Sequence, residues 1–281
     1  MNKLNLVKRI EILHMLCEGS SLRSISRVAN VSFNTVLKMV VTAGEACADY
    51  HDKNVKGLKS RRVEADEIWS FSYAKDKTVK QKNIKVPNAG SVWTWTALDS
   101  DSKLIISYRV GGRDSDDAIL LMDDLRGRLE NRVQLTTDGH KAYLEAVEGA
   151  FGDNVDYAQL VKLYGPSADY VKGRYSPAEC IGARKTPVSG NPDKTHISTS
   201  IAERMNYSIR VGLRRFTRLS SGFSKKLENH YHALALYFMF YNYVRIHKTL
   251  KVTPAMASGL TDKLWEMSDL ANMIDEYHAK A

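Results

Sequence analysis

Cysteine and long apolar runs are both scarce in this chain of 281 residues. Its three cysteines, Cys17, Cys47 and Cys180, are far apart and include no Cys-x-x-Cys pair, so they support neither a zinc ribbon nor a disulfide framework. We expect three buried thiols in a reducing cytoplasm. No run of about eighteen apolar residues is present and no signal-like apolar segment follows Met1, so we predict no membrane span and no secretory leader.

Acidic residues are outnumbered by basic ones. The chain has 41 Lys and Arg against 32 Asp and Glu, a formal net charge of +9 and an isoelectric point near 9.3. A basic surface attracts polyanions because binding to phosphates releases their counterions. Ribosomal, membrane-surface and DNA-binding proteins share this balance, so charge alone does not select among them. The length accommodates one large domain or two smaller ones, and we expect a small head and a larger body.

Residues 1–52 carry apolar residues at helical spacing and are predicted to form an all-α head. The pattern breaks at Gly19, resumes over about 21–29, and breaks again at the turn Asn30-Val31-Ser32 before a third helix. Two helices joined by so short a turn are typical of a helix-turn-helix DNA-binding domain. The alternative is a three-helix head that binds a partner protein. In the DNA-binding interpretation, the residues that face phosphates or base edges are Arg23, Arg27, Ser32, Asn34, Thr35 and Lys38.

A basic segment joins the head to the rest of the chain. Residues 53–62 contain five Lys and Arg and no acidic residue, and we predict a linker that lies on phosphate. Beyond it, the spacing of apolar residues changes from helical to alternating. Over residues 63–250 the predicted order is three strands, a helix, a strand, a helix and a strand, followed by further helices. Residues 251–281 are assigned to a C-terminal tail.

This order predicts an α/β fold with a ribonuclease-H-like mixed sheet flanked by helices, in which the first and fourth strands are neighbours. Residues 165–196 are rich in Gly, Pro, Ser and Lys and lack a regular period, so we predict a mobile loop over the site. Two long helices are expected after this loop, over about 198–218 and about 225–247.

Three acidic residues stand where elements of this domain could bring them together. Asp66 lies within the first strand, Asp138 follows a short strand, and Glu203 lies near the start of a helix. An ionised carboxylate in a core strand costs several kcal/mol unless a cation accompanies it, so we expect a metal ion or a basic side chain beside Asp66. Glu67, on the other face of the strand, is the competing candidate at this position.

Asp138 and Glu203 each have a structural alternative. Asp138 precedes Gly139, and Asp-Gly is among the commonest turn dipeptides. Glu203 and Ser200 fit a capping box with Ser200 at the N-cap. Position favours a functional role for Asp138, because the carboxyl end of a strand beside the first strand is where a second metal ligand would have to stand.

Basic residues follow Glu203 along the predicted helix. Glu203, Tyr207, Arg210 and Arg214 recur at steps of three and four and therefore share one helical face. An acid followed by a basic stripe suits a helix that holds metal at one end and DNA along its length. The residues that we expect to bind phosphate are Arg210, Arg214, Arg215 and Arg218.

Converging carboxylates on a basic chain predict chemistry on phosphodiesters. Three acids suffice to hold two Mg²⁺ or Mn²⁺ ions roughly 3.5 to 4 Å apart, one beside the attacking oxygen and the other beside the leaving oxygen. No covalent enzyme intermediate is then required. The chain has no Gly-x-Ser-x-Gly motif, and Tyr207 or Tyr241 near arginines is not enough to predict a serine or tyrosine recombinase.

Four short motifs share an order and spacing with a known family. They are Asp66-Glu67-Ile68-Trp69, Thr137-Asp138-Gly139 with Tyr143, Glu203-Arg204-Met205-Asn206 with Ile209-Arg210, and the tail from Tyr241 to Met256. On these residues the chain resembles DDE-type transposases, most closely the insertion sequence one family of bacteria. The resemblance implies Mg²⁺ dependence, strand transfer at terminal inverted repeats, and Asp66, Asp138 and Glu203 as the catalytic, metal-binding acids. Many relatives have a cysteine-rich zinc-binding N-terminus, which this chain lacks.

We therefore predict a DNA transposase whose head recognises the ends of its element and whose body nicks and joins them. The expected partners are double-stranded DNA, as terminal inverted repeats and as target, and a second copy of the chain, because two ends must be brought together. The expected location is the bacterial cytoplasm, in association with the nucleoid. Two alternatives stay open: a ribonuclease-H-fold nuclease without strand transfer, and a non-catalytic DNA-binding regulator.

Overall fold

A mixed sheet of six strands is the centre of the described chain, which in this computed structural model comprises residues 4–165, 180–217 and 221–280. The strands are β1 (Arg62–Ser72), β2 (Gly90–Asp99), β3 (Ile105–Gly111), β4 (Val133–Asp138), β5 (Val155–Tyr164) and β6 (Cys180–Ser189). The helices are α1 (Leu6–Cys17), α2 (Leu22–Val28), α3 (Phe33–Asn54), α4 (Asp76–Gln81), α5 (Ser115–Arg128), α6 (Ala142–Phe151), α7 (Ser200–Gly212), α8 (Leu227–Met239), α9 (Pro254–Ala257) and α10 (Met267–Lys280).

The strands follow the spatial order β3-β2-β1-β4-β5-β6. β4 runs parallel to both β1 and β5, whereas the other neighbouring strands are antiparallel. The predicted adjacency of the first and fourth strands is confirmed, and the mixed sheet with its flanking helices is consistent with a ribonuclease-H-like fold. Ala65 of β1 lies beside Thr137 of β4. Because the two strands run in the same direction, this register places the residues that follow Ala65 and Thr137 beside each other.

β1 is buried along most of its length because helices cover both of its faces. Successive side chains of a strand point to opposite faces of the sheet. Glu64 and Asp66 are hydrogen-bonded to α7, Asp66 through Asn206, whereas Glu67 is hydrogen-bonded to Tyr143 of α6. The helices α6 and α7 therefore lie on opposite faces of the sheet, with β1 between them.

The head contains α1, α2 and α3, and α3 is long enough to pack on the body. Each of these helices begins at a side chain that accepts a hydrogen bond from the backbone amide three residues later, which satisfies an otherwise unpaired donor. These capping residues are Asn5, Ser21 and Ser32. Four residues separate α2 from α3. Near its middle α3 crosses α8, where Gly44 lies directly against His232.

The basic segment after the head is anchored to the body. Residues 53–54 still belong to α3, and Val55 and Leu58 are buried. Leu58 donates its N–H to the carbonyl of Arg128 at 3.0 Å, and its own carbonyl accepts from the N–H of Glu130 at 2.9 Å. The Arg128 guanidinium also donates to the carbonyl of Val55. The basic side chains of this segment that remain exposed are Lys53, Lys56, Lys59 and Arg61.

Part of the predicted mobile loop over 165–196 is a strand, so that prediction was wrong for Cys180–Ser189, which forms β6. β6 pairs antiparallel with β5, and most of its residues are exposed. An edge strand with little burial needs no alternation of apolar and polar residues, and that alternation is the signal by which strands are recognised. Residues 166–179 of the same prediction lie outside the described residues.

Both predicted late helices are shorter than expected. The helix over about 198–218 ends at Gly212, and a 3₁₀ turn follows over Arg214–Phe216. At Gly212 the chain packs so closely on α8 that a Cβ would lie 2.4 Å from the Tyr237 ring. The helix over about 225–247 is α8, which continues as a π-helical turn over Phe240–Val244. The predicted tail contains α9 and α10.

The cysteines only partly match the expectation of three buried thiols. Cys17 and Cys47 are buried and free, and burial raises the pKa of both thiols. Cys180 is exposed because it lies on the edge strand β6. Among the described helices, none combines the length and the apolar character that crossing a bilayer requires.

Candidate active site

Three carboxylates meet where β1 and β4 lie side by side. Asp66, Glu67 and Asp138 each offer an oxygen atom, and these atoms all lie within 4.8 Å of one another. The parallel register of the two strands explains the meeting, since Asp66 directly follows the residue paired with Thr137. Carboxylate oxygens at this separation are the ligands that Mg²⁺ and Mn²⁺ prefer.

Asp66 is held by neutral donors. Its Oδ2 accepts from Nδ2 of Asn206 at 2.8 Å, and its Oδ1 accepts from the N–H of Glu67 at 2.9 Å. Among the described residues no Lys or Arg forms an ion pair with it, so the alternative of a basic partner is not what these residues show. Burial, and then repulsion from Glu67 and Asp138, raises the pKa of Asp66 to about 7. A divalent cation would relieve both effects.

Glu67 has partners on the opposite face. Its Oε1 accepts from Nε of Arg113 at 2.7 Å, and its Oε2 accepts from the hydroxyl of Tyr143 at 3.1 Å. Burial and the charge of Asp138 raise the pKa of Glu67, while Arg113 opposes that rise. The guanidinium of Arg113 also lies 4.6 Å from the centre of the Trp93 ring. Glu67 therefore fixes an arginine at the border of the carboxylate group.

Asp138 has a role in a turn as well as a place among the three carboxylates. Its Oδ1 accepts from the N–H of His140 at 2.9 Å, which closes the turn after β4. This is the structural alternative expected for an Asp-Gly pair. The same carboxylate is close enough to raise the pKa of both Asp66 and Glu67. The turn thus aims Asp138 at the other acids instead of excluding it from them.

Glu203 lies at the border of this group and is not one of the three clustered carboxylates. Its Oε2 accepts from Nζ of Lys162 on β5 at 2.6 Å, and its Oε1 accepts from the hydroxyl of Thr199 at 2.7 Å. Its charge is nevertheless near enough to contribute to the raised pKa of Asp66. The structure therefore brings Asp66 and Asp138 together and leaves Glu203 next to them, paired with a lysine.

The expected capping box at Ser200 is wrong, because α7 is capped by a residue from another element. The N-cap is Thr199, not Ser200. The first amides of α7, those of Ile201 and Ala202, donate to Oε2 of Glu64 at 2.8 and 3.0 Å. Glu64 is 4% exposed and lies on β1, 137 residues before Ile201. This buried carboxylate ties the start of α7 to the strand that carries Asp66.

Glu64→Ala is expected to loosen the first turn of α7. One buried and one partly buried amide lose their acceptor, so we expect the free energy of unfolding to fall by roughly 2 to 3 kcal/mol. Amide hydrogen exchange at Ile201 and Ala202 should accelerate more than exchange in α6. Glu64→Gln keeps an acceptor oxygen and should recover most of the loss. The matched control is Glu145→Ala, which removes the acid in the first turn of α6; equal effects of the two Ala variants would contradict the capping role.

The predicted DNA-binding residues of the head lie on α2 and at the start of α3. Arg23, Arg27 and Asn34 are exposed, and Lys38 is exposed one turn further along α3. Ser32 accepts from the N–H of Thr35 at 3.0 Å, and their two hydroxyls are 2.8 Å apart. Ser32 and Thr35 therefore also serve the cap of α3.

The predicted phosphate-binding arginines of the body do not share one helical face. Arg210 is on α7, but Arg214 and Arg215 belong to the 3₁₀ turn, because α7 ends at Gly212. Arg214 is exposed, whereas Arg215 is partly buried and donates from Nη1 to the hydroxyl of Ser224 at 2.7 Å. Arg218 lies outside the described residues.

Sequence reasoning missed the side chains that hold the acids in place. Asn206 and Tyr143 appeared only within family motifs, and Arg113 and Lys162, the basic partners of Glu67 and Glu203, were not predicted at all. Lys162 and Arg113 are 41 and 46 residues from the acids they contact, so no local pattern encodes these pairs.

No family model matches the chain, and no curated protein matches it. Among solved structures, it is similar to a Mos1 transposase paired-end complex with the left transposon end, at 14% identity over 56% of this chain and 60% of that chain, with a TM-score of 0.23. It is also similar to a piggyBac transposase synaptic complex with hairpin DNA, at 10% identity over 100% of this chain and 74% of that chain, with a TM-score of 0.40. The chain thus spans 60% of the length of the first of these structures. Similarities this distant carry no functional conclusion.

Proposed function

We propose that the chain is a metal-dependent DNA transposase, which cuts the ends of its element and joins the freed 3′-hydroxyl to target DNA. The observation that carries the proposal is the meeting of Asp66, Glu67 and Asp138 within 4.8 Å at the junction of β1 and β4. Like charges are rarely gathered and buried without a cation to compensate them. The net charge of +9 makes nucleic acid the natural substrate of such a site.

Asp66 and Asp138 would hold a first Mg²⁺ or Mn²⁺ ion, and Glu203, which is paired with Lys162 in the structure, would be a ligand of a second. When bound, two such ions activate the attacking oxygen and stabilise the leaving oxygen of a phosphodiester. The side chains of the protein set the geometry. Asn206 orients the Asp66 carboxylate, and Glu64 fixes the start of α7 from which Glu203 projects. Arg113, which donates to Glu67, would contact a phosphate of the bound DNA.

The head is assigned to recognition of the element ends. In this proposal residues 1–52 form a helix-turn-helix domain, residues 53–62 a basic linker, residues 63–250 the catalytic domain and residues 251–281 a tail. The exposed start of α3 enters the major groove, with Asn34 and Lys38 at base edges and Arg23 and Arg27 at phosphates. Terminal inverted repeats and target DNA are the proposed partners, together with a second copy of the chain in the bacterial nucleoid.

The test uses DNA that flanks the coding region on both sides in its genome. With Mg²⁺ or Mn²⁺ we expect nicking at the element ends, and labelled pre-cleaved ends should become joined to an unlabelled plasmid. Asp138→Asn should remove both products and weaken Mn²⁺ binding measured by calorimetry. Asp153→Asn, an exposed acid next to β5, is the matched control and should retain both.

The outcomes separate the alternatives. Hydrolysis without joined products would replace the transposase with a nuclease that lacks strand transfer. A protein that binds this DNA but shows neither cleavage nor Mn²⁺ binding, and that is unchanged by Asp138→Asn, would be a DNA-binding regulator, and the enzymatic proposal would be wrong.

A further inference from the structure

A cavity of about 520 Å³ lies between the head and the body. The head contributes residues from the end of α1 through α3, including Arg23. The body contributes Leu213 to Arg215, residues 221–225 and one side of α8. We call this cavity the head–body cleft. It lies near the end of β1, since Ser72 of β1 forms a bridge with Ser224.

The charged side chains in the described lining of the head–body cleft are all positive. Four cationic side chains and several serine hydroxyls line it, and its described lining includes no Asp or Glu. The cationic side chains are those of Arg23, Arg214, Arg215 and Lys225. Within the ranges 4–165, 180–217 and 221–280, none of these four forms an ion pair with a carboxylate. Cations gathered in this way repel one another unless an anion joins them.

Arg215 is the member that most requires an anion. Its Nη2 is buried and has no hydrogen-bond partner in the described part of the protein. Burial lowers the pKa of Arg215 to about 10, with no acidic neighbour to raise it. A buried cation without a counter-charge is costly, because its lost hydration is not replaced.

The position of Arg215 is fixed by a chain of buried polar groups. Its Nη1 donates to the Ser224 hydroxyl, which lies 3.2 Å from Nδ1 of His230. Nε2 of His230 lies 3.3 Å from the hydroxyl of Ser70 on β1. The positive charge of Arg215, after burial, holds the pKa of His230 far below its ordinary value, so His230 is neutral and cannot supply the missing anion. The guanidinium is thus pre-oriented towards the head–body cleft.

We infer that the head–body cleft binds one backbone phosphate of duplex DNA, held jointly by Arg23 of the head and Arg215 of the body. Arginine suits this ligand because its planar donors match phosphate oxygens, and serine hydroxyls add further donors. Arg23 lines the cleft and belongs to the same helix as Arg27, so a duplex that contacts this helix as proposed above would lie beside the cleft. The inference rests on the DNA-binding part of the proposed function and is independent of the metal chemistry.

The test measures how the affinity for a fluorescent DNA duplex depends on salt concentration. One lost phosphate contact lowers the slope of log Kd against log salt by about 0.9, which is about a 3.5-fold change in affinity between 50 and 200 mM. Arg23→Gln and Arg215→Gln should each lower the slope by this amount, and the double variant by no more, because both contact one phosphate. Lys248→Gln removes an exposed charge that does not line the head–body cleft and should leave the slope unchanged.

Each result decides the inference. Unchanged slopes in both single variants, or a double variant that loses about 1.8, would overturn a shared phosphate. Since Arg215→Gln could unfold the protein, Arg23→Gln, which replaces the exposed member of the pair, tests the same phosphate contact without that risk. If inorganic phosphate stabilises the wild type but not Arg215→Gln while both keep the same DNA slope, the cavity binds free phosphate and the DNA assignment is wrong. Asp66→Asn should keep the wild-type salt dependence of DNA binding. Loss of cleavage in this variant therefore does not contradict the inferred phosphate contact.

Discussion

Asp66→Asn is expected to stabilise the metal-free protein near neutral pH and to abolish metal-dependent cleavage of DNA. The two effects have one cause. Ionised Asp66 is buried beside Glu67 and Asp138, which costs free energy when no cation is present and provides the metal ligand when one is. A neutral amide keeps one of the two hydrogen bonds that Asp66 accepts and removes the repulsion. Loss of a ligand that helps to supply several kcal/mol of charge stabilisation should slow cleavage at least about a thousandfold.

The shifted pKa of Asp66 determines how the stability of the metal-free protein changes with pH. The pKa of Asp66 is about 7 in the folded protein and 3.8 ordinarily, so between these values the folded protein retains a proton that the unfolded chain has released. The stability from this site is therefore present at low pH and is lost as the pH rises towards about 7. In EDTA, raising the pH from about 5 to about 8 should lower the free energy of unfolding of the wild type by about 2 to 3 kcal/mol more than that of Asp66→Asn. Urea titrations measure this difference.

Asp156→Asn is the control with the opposite sign. A hydrogen bond from Arg132 lowers the pKa of Asp156, so this carboxylate contributes stability above its ordinary pKa and loses it as the pH falls. Its replacement should therefore not stabilise the protein at neutral pH. Adding Mg²⁺ should stabilise the wild type more than Asp66→Asn, because only the wild type has the full ligand set. A wild type whose stability at neutral pH equals that of Asp66→Asn in EDTA would contradict the buried charge.

The carboxylates at the centre of the site could be predicted from the sequence because each follows a local rule. Asp66 lies within a buried strand where an unpaired acid is unexpected, and Asp138 ends a short strand. Strand order then requires only that the first and fourth strands be neighbours, as the sheet confirms. Glu67 was recognised as a competitor for the same reason, and the structure places it within the carboxylate group.

The support of the site could not be predicted, because it depends on contacts between distant segments. The local pattern at Ser200 and Glu203 satisfies a capping box, yet Glu64 reaches the first amides of α7 from β1. A buried carboxylate is a stronger acceptor than a local side chain that remains partly in water, so the tertiary partner prevails. Glu203 instead forms an ion pair with Lys162, and no periodic pattern in the sequence indicates this pair.

The errors in the predicted fold likewise occur where the local sequence pattern does not determine the structure. β6 lies on an exposed edge and therefore carries no apolar alternation. The predicted helix after residue 198 continued past Gly212 because the following residues include good helix formers, whereas in the structure Leu213 adopts an extended conformation and ends the helix. Apart from Asn242, the π-helical turn over Phe240–Val244 consists of aromatic and apolar residues, so its sequence resembles a continued α-helix.

The contact between α3 and α8 leads to the second large expected effect, because it decides how firmly the head is joined to the body. A Cβ added at Gly44 would lie 2.4 Å from Cβ of His232 and 2.6 Å from its carbonyl oxygen. These neighbours are backbone or attached directly to it, so neither can rotate away. Gly44→Ala should force the two helices apart and lower the free energy of unfolding by about 2 to 3 kcal/mol, measured by urea titration.

Gly127→Ala makes the experiment decisive, because helix propensity alone predicts the same outcome for both substitutions. Alanine is favoured over glycine inside a helix by about 1 kcal/mol, and an added Cβ at Gly127 of α5 meets nothing within 4 Å. Gly127→Ala should therefore stabilise the protein while Gly44→Ala destabilises it. If both variants gain stability, α3 and α8 are not in close contact in solution. The head would then move independently of the body, and a phosphate held jointly by Arg23 and Arg215 would have no fixed geometry.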